Sequence, residues 1–200
     1  MQIIPIQKLL LGYAQGIFPM SESRHSGTVE WFTAEQRGII PMNQFHVSSN
    51  VKRIIRQHKY QVAIDHAFRQ TMEHCANRET TWISESIIES YCRLHKAGYA
   101  HSVEVYEDDT MVGGLYGVSL RAAFFGESMF NYQPETSKVA LYYCHQALQQ
   151  GGFTLWDTQY YTSHLAQFGG IEVSQEKYIK LLDKALDRET QFPLVVEMSS

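Results

Sequence analysis

The chain has no unbroken apolar run of about 18 residues or more, so it offers no transmembrane helix. Its first residues, MQIIPIQKLLLGYAQG, lack the basic start and small-residue cleavage site of a secretory leader. Cysteine is scarce: Cys75, Cys92 and Cys144 are odd in number, fall in expected helices, and stand at no spacing that suggests a disulfide framework or a zinc site. A cytoplasmic protein with reduced thiols and no metal is expected. There is no excess of cations either. Lys and Arg number 17 against 21 Asp and Glu, a net charge of −4, so any nucleic-acid partner must be held by a local patch. No repeat or low-complexity segment appears, and 44% apolar residues with 12 tyrosines and 10 phenylalanines suffice for a core.

Against that background one charge stands out. Residues 113–130, GGLYGVSLRAAFFGESMF, read as buried β-structure and carry a lone carboxylate, Glu127, behind two phenylalanines. An unpaired buried carboxylate costs several kcal/mol, roughly, so Glu127 either has a fixed partner, faces a ligand cavity, or ends a strand in water.

The N-terminal stretch suggests a short helix over 8–14, closed by Gly16 and stopped at Phe18-Pro19. Residues 29–40 carry Trp31 and Phe32 into a short apolar run, Gly38-Ile39-Ile40, that ends at Pro41, and residues 1–45 are expected to form a small appendage to a domain spanning 46–200. Ser48 and Ser49 can cap a helix from Asn50 that brings Lys52, Arg53, Arg56 and Lys59 to one face, with no acidic residue among them. Such a stripe is either a solvated face or a contact for a phosphate backbone. A strand over 60–64 and a helix over 65–76 follow. Ser84 caps an amphipathic helix that places Ile87, Ile88, Tyr91 and Leu94 inward and stops at Gly98.

From His101 the period changes to two. Strands over 101–106, 111–119 and 122–129 make an antiparallel meander, and Gly113, Gly114 and Gly117 within it suggest bulges or close approaches. A helix over 137–150 then crosses to a strand beginning at Phe153 that turns polar at Asp157 and Gln159. A short helix over 164–168, a helix from Ser174 to about Leu186, and a strand through 194–196 complete the reading.

This order is that of an α/β, acetyltransferase-like (GNAT-type) mixed sheet with flanking helices. Ligand groups sit at the carboxyl ends of such strands, which draws attention to Asp157 and Gln159. A carboxylate bonded to a side-chain amide can orient it, and an oriented amide can hold an attacking amine. Coenzyme A enzymes of that architecture need a glycine-rich turn before the crossover helix. Residues 131–137, NYQPETS, contain no glycine, which disfavours a small thioester donor and an N-acyltransferase activity.

Six strings carry a resemblance: GIFPM at 16–20, TTWISESIIESYCRLHKAGYAHSVEV at 80–105, VGGLYGV at 112–118, FFGESMF at 124–130, SKVAL at 137–141 and LWDTQ at 155–159. Together they resemble the bacterial leucyl/phenylalanyl-tRNA–protein transferases over nearly the whole chain. The resemblance implies transfer of leucine or phenylalanine, less readily methionine, from aminoacyl-tRNA to the N-terminal Arg or Lys of proteins, which marks them for N-end rule degradation. It implies that Asp157 and Gln159 are a catalytic pair, the aspartate polarising the glutamine, and that Glu127 serves a cationic acceptor. Trp82 and Tyr91 would surround the terminal adenosine, Leu115 and Phe124 would wall the aminoacyl pocket, and Lys52, Arg53 and Arg56 would meet the acceptor stem, with Lys59 added to the tRNA contact by its place on the same helix face. No cofactor, no membrane and a monomer are expected.

Departures from the family pattern bear on the donor. The segment before GIFPM is shorter than expected of the family, Met20 stands where tryptophan is usual, and Trp156 where a smaller aliphatic residue is usual. The competing expectation is a tRNA-binding relative without turnover.

Overall fold

A computed structural model describes residues 2–195. Among them the chain forms, in order, α1 (Ile6–Ala14), β1 (Phe18–Met20), β2 (Glu30–Phe32), β3 (Gln36–Ile39), α2 (Ser49–Arg56), β4 (Gln61–Ile64), α3 (Phe68–Ala76) and α4 (Glu85–Lys96). There follow β5 (Ala100–Glu107), β6 (Thr110–Leu120), β7 (Ala123–Asn131), α5 (Thr136–Gly151), β8 (Leu155–Gln159), α6 (Ser163–Ala166), β9 (Ile171–Ser174) and α7 (Gln175–Leu186). No helix among the described residues is long and apolar enough to cross a membrane.

Seven strands make one mixed sheet in the order β4-β5-β6-β7-β8-β3-β9. The expected meander is its centre: β5, β6 and β7 are antiparallel neighbours joined by tight turns at Asp108 and Arg121, both in the left-handed region, and β4, which reaches β5 through α3 and α4, pairs antiparallel to its outer edge. The crossover through α5 then lays β8 parallel to β7, as expected, with Phe124 opposite Trp156 and Phe125 opposite Asp157. Helices cover both faces. The side chains of α1, α3, α4 and α7 share one buried cluster with Tyr116, Phe125 and Phe130, while those of α2 and α5 share another with Leu115, Phe124 and Trp156.

Capping residues fix three helix starts legible in the sequence. Ser48, Ser84 and Ser174 each accept from a backbone N–H three residues on, at Val51, Ile87 and Lys177. Gly117 shows why the meander tolerates glycine: a Cβ there would lie 2.4 Å from the Phe124 ring, so its absence lets Phe124 lie across the strand.

Several elements differ from expectation. β3 lies between β8 and β9, so the main sheet takes a strand from the stretch expected to be appended, and Ile4, Leu9, Tyr13 and Phe18 join the cluster around α4. β9 was not expected, because its four residues are too few to declare a period. The basic helix ends at Arg56, two residues before His58 turns left-handed, so Lys59 lies outside it. Leu194 and Val195 form no strand, and the rest of that expected strand lies outside the described residues.

Candidate active site

The site lies where β7 and β8 part. Their parallel pairing ends at Phe125 and Asp157, and each strand is irregular just beyond. In β7, Tyr116 faces Ser128 and Gly117 faces Gly126, which leaves Glu127 as the extra, unpaired residue of a bulge. In β8, Gly38 faces Gln159 and Ile39 faces Asp157, with the register broken between them, and Gln159 adopts φ 63°. Bulges re-aim side chains. Here they turn Glu127 and Gln159 toward each other: Gln159 Nε2 donates to Glu127 Oε1 at 2.8 Å.

Glu127 is half-buried and held on its other side by tyrosines. Tyr13 donates to Oε1 at 2.7 Å, and Tyr91 donates to the Tyr13 hydroxyl with its own oxygen 3.5 Å from Oε2. Burial drives the Glu127 carboxyl up to about 8, outweighing the Tyr13 hydrogen bond; the Asp157 charge adds to the rise, and Arg37 and the Gln159 amide oppose it. The same burial, beside the Glu127 charge, holds Tyr13 and Tyr91 well above the ordinary phenol range.

Asp157 is fully buried and committed elsewhere. Arg37 spans its carboxylate, with Nε 2.9 Å from Oδ1 and a terminal nitrogen 2.7 Å from Oδ2, while Tyr178 donates to Oδ2 at 2.6 Å. Oδ1 also accepts the backbone N–H of Gln159 at 2.7 Å. The Asp157 carboxylate therefore fixes the Gln159 backbone in its left-handed conformation, and the Gln159 side-chain amide is bonded to Glu127. This corrects the expectation that the aspartate polarises that amide. Arg37 is itself buried between the rings of Phe18 and Tyr178 and donates to the Gly16 carbonyl at 2.9 Å. Burial works against its charge, and Asp157 outweighs that to raise it above the ordinary value.

An apolar cavity of about 90 Å³ opens beside Glu127, walled by Leu115, Phe124, Met129, Leu141, Trp156 and Leu165. Leu115, Phe124 and Trp156 stand together in this wall, so Trp156 faces the cavity. Tyr91 does not present a ring for stacking; it is fully buried and its hydroxyl is spent on Tyr13, beside Glu127. Trp82 and Met20 are half-buried and adjoin across the Ser21 N–H to Trp82 carbonyl bond, 3.2 Å. Lys52, Arg53 and Arg56 are exposed on α2, and among the described residues none of them makes an ion pair; Lys59 lies 3.6 Å from Glu107.

Sequence reasoning missed Tyr13, Arg37 and Tyr178. Arg37 is the one cation of residues 29–40, but it follows Glu35 and Gln36, so nothing local marks it as buried. Tyr13 and Tyr178 had no signal either, because a helix aromatic facing a core and one facing a carboxylate have the same periodicity.

Comparison with known proteins bears on this geometry. Residues 39–183 match the family model described as leucyl/phenylalanyl-tRNA protein transferase, and residues 4–35 match the model of that family's N-terminal domain. A protein of Herpetosiphon aurantiacus named leucyl/phenylalanyl-tRNA–protein transferase is 49% identical over 93% of this chain and 96% of its own length. A protein of the same name from Cereibacter sphaeroides is 48% identical over 92% and 86%. One from Ruegeria pomeroyi is 44% identical over 98% and 93%. Among solved structures, a crystal structure of FemX aligns at 11% identity over 92% of this chain and 65% of that chain, with a TM-score of 0.48.

Proposed function

The chain belongs to the leucyl/phenylalanyl-tRNA–protein transferase family, and from that we propose how its site works and on which substrates. The reaction is aminoacyl transfer from tRNA to protein, and the chain is an enzyme of that class. The donors we assign are leucyl-, phenylalanyl- and methionyl-tRNA. The acceptors are proteins with N-terminal Arg or Lys, tagged in this way for N-end rule degradation by a cytoplasmic, monomeric enzyme.

The observation that carries the assignment is Glu127: a bulged, half-buried carboxyl at the mouth of an apolar cavity, held by an amide and two tyrosines. The cavity receives the aminoacyl side chain, which brings the ester carbonyl to the rim beside Glu127. The acceptor's α-amine attacks that carbon, the C–N bond forms, and the ester C–O bond to the ribose breaks. A free α-ammonium titrates near 7.7 to 8.0, roughly. Glu127, raised to about 8, is matched to take that proton with little free-energy cost and release it to solvent; the carboxylate then takes the second proton that the nitrogen loses as the C–N bond forms and passes it to the leaving ribose oxygen. Gln159 positions the carboxyl and the amine, and Asp157 with Arg37 fixes the backbone that carries Gln159.

Trp82 and Met20 flank the donor's terminal nucleotide. Lys52, Arg53 and Arg56 meet the phosphates of the acceptor stem, and Lys59, already beside Glu107, contributes less. Of the expected first part, residues 1–45, the stretch before β3 closes over Glu127 through Tyr13, while β3 itself belongs to the main sheet.

The test is incubation with radiolabelled Leu-tRNA or Phe-tRNA and peptides beginning with Arg, Lys, Asp or Ala. Label is expected on the Arg and Lys peptides alone. Folded protein that transfers to none of them would defeat the assignment.

A further inference from the structure

The cavity beside Glu127 has a wall that decides what fits. Trp156 is 2% exposed and cannot turn away: the Phe45 ring lies 5.6 Å from it, the His145 ring 6.3 Å, and the Phe124 ring crosses it at 6.5 Å. His145 is anchored in turn by the Met42 carbonyl at 2.9 Å. Beneath the indole lies Gly126, where even a Cβ would come within 3.3 Å of Nε1. The indole is therefore wedged between fixed groups, and its edge bounds the cavity.

The space left is small. The cavity holds about 90 Å³, whereas a dry engineered cavity that accepts a benzene ring measures about 150 Å³. A phenylalanyl side chain is a benzene ring with one further carbon. An isobutyl group or an unbranched thioether needs less width, and the half-buried Met129 opposite is a flexible side chain that can shift to suit either.

We propose that Trp156 is a specificity-determining residue that makes the donor pocket favour leucyl and methionyl over phenylalanyl groups. The inference rests on the preceding reading, in which this cavity holds the aminoacyl side chain. Close-packed interiors do not deform freely, so an oversized ring must displace Trp156 or remain partly outside, with its ester carbonyl drawn away from Glu127. One methylene of misfit in an apolar pocket discriminates by about 10- to 200-fold in kcat/KM.

The experiment measures kcat/KM for Leu-, Met- and Phe-tRNA on one Arg-initiated peptide, for the full chain and for Trp156→Ile and Trp156→Leu. The wild-type chain is expected to use Leu and Met at least ~10-fold better than Phe, and each variant to raise the Phe-to-Leu ratio by at least ~10-fold. Competition by 3′-leucylamino- and 3′-phenylalanylamino-adenosine gives the same ratio as inhibition constants without turnover. Near-equal use of Phe and Leu by the wild-type chain would overturn the proposal whether or not the variants fold, as would variants with an unchanged ratio. Failure to transfer from any donor would instead remove the aminoacyl-transfer reading on which it stands.

Discussion

Glu127 is where a single residue links stability to function. Its carboxyl titrates near 8 in the folded chain against an ordinary 4.5, so between those values the folded protein binds the extra proton. The stability this represents is fully present below about pH 4.5 and is lost as the pH rises through 8. Glu127→Gln keeps the shape and removes the titration. The variant is expected to melt close to the wild type at pH 5 and above it at pH 9, by about 2–4 °C for each kcal/mol regained, while its transfer rate falls sharply. A melting difference that does not change between pH 5 and 9, in calorimetry across that range, would mean that Glu127 is not a raised, buried acid.

At the scale of elements, function depends on irregularities in otherwise regular strands. β7 would be an ordinary meander strand without the extra residue at Glu127, and β8 an ordinary parallel strand without the left-handed Gln159. Each departure turns a polar group out of the sheet where β7 and β8 diverge. Helix α2 contributes differently. Val51 and Ile54 pack into the cluster that also holds the cavity walls, while Lys52, Arg53 and Arg56 remain exposed. Replacing Lys52 and Arg53 together by Ala is expected to weaken donor-tRNA binding and to reduce the slope of log K against log salt by about 1 to 2. A filter-binding or fluorescence titration over several salt concentrations reads this directly. An unchanged slope would return α2 to the role of a solvated face. Such a stripe is legible in sequence, but its extent was not, because the helix end at Arg56 depends on a left-handed turn at His58 that local propensity does not announce.

For the whole molecule, the ion pair of Arg37 and Asp157 joins the chain's distant parts. It connects β3 to β8, takes in Tyr178 of α7, and reaches the Gly16 carbonyl behind α1. Breaking a buried pair from one side costs about 3–5 kcal/mol because the remaining charge is left without a partner. Arg37→Met is therefore expected to lower unfolding stability in urea by about that amount, in one transition for the whole chain, and to slow transfer by freeing the Gln159 backbone. A loss under about 1 kcal/mol, or two separate transitions, would show that the N-terminal stretch is not bound to the sheet through this pair. The sequence alone determined the meander and its crossover helix, the serine caps, the family motifs, and the anomaly of Glu127, because periodicity, capping and a misplaced charge are local properties. Only the tertiary structure decided what Glu127, Gln159 and Asp157 bond to. Those partners come from Tyr13, Arg37, Tyr91 and Tyr178, which the fold gathers from both ends and the middle of the chain, and from bulges whose register is set across neighbouring strands. A pairing of that kind leaves no trace in local spacing, so the same Asp-x-Gln string is compatible with an aspartate bonded to the amide and with one bonded to the backbone beside it.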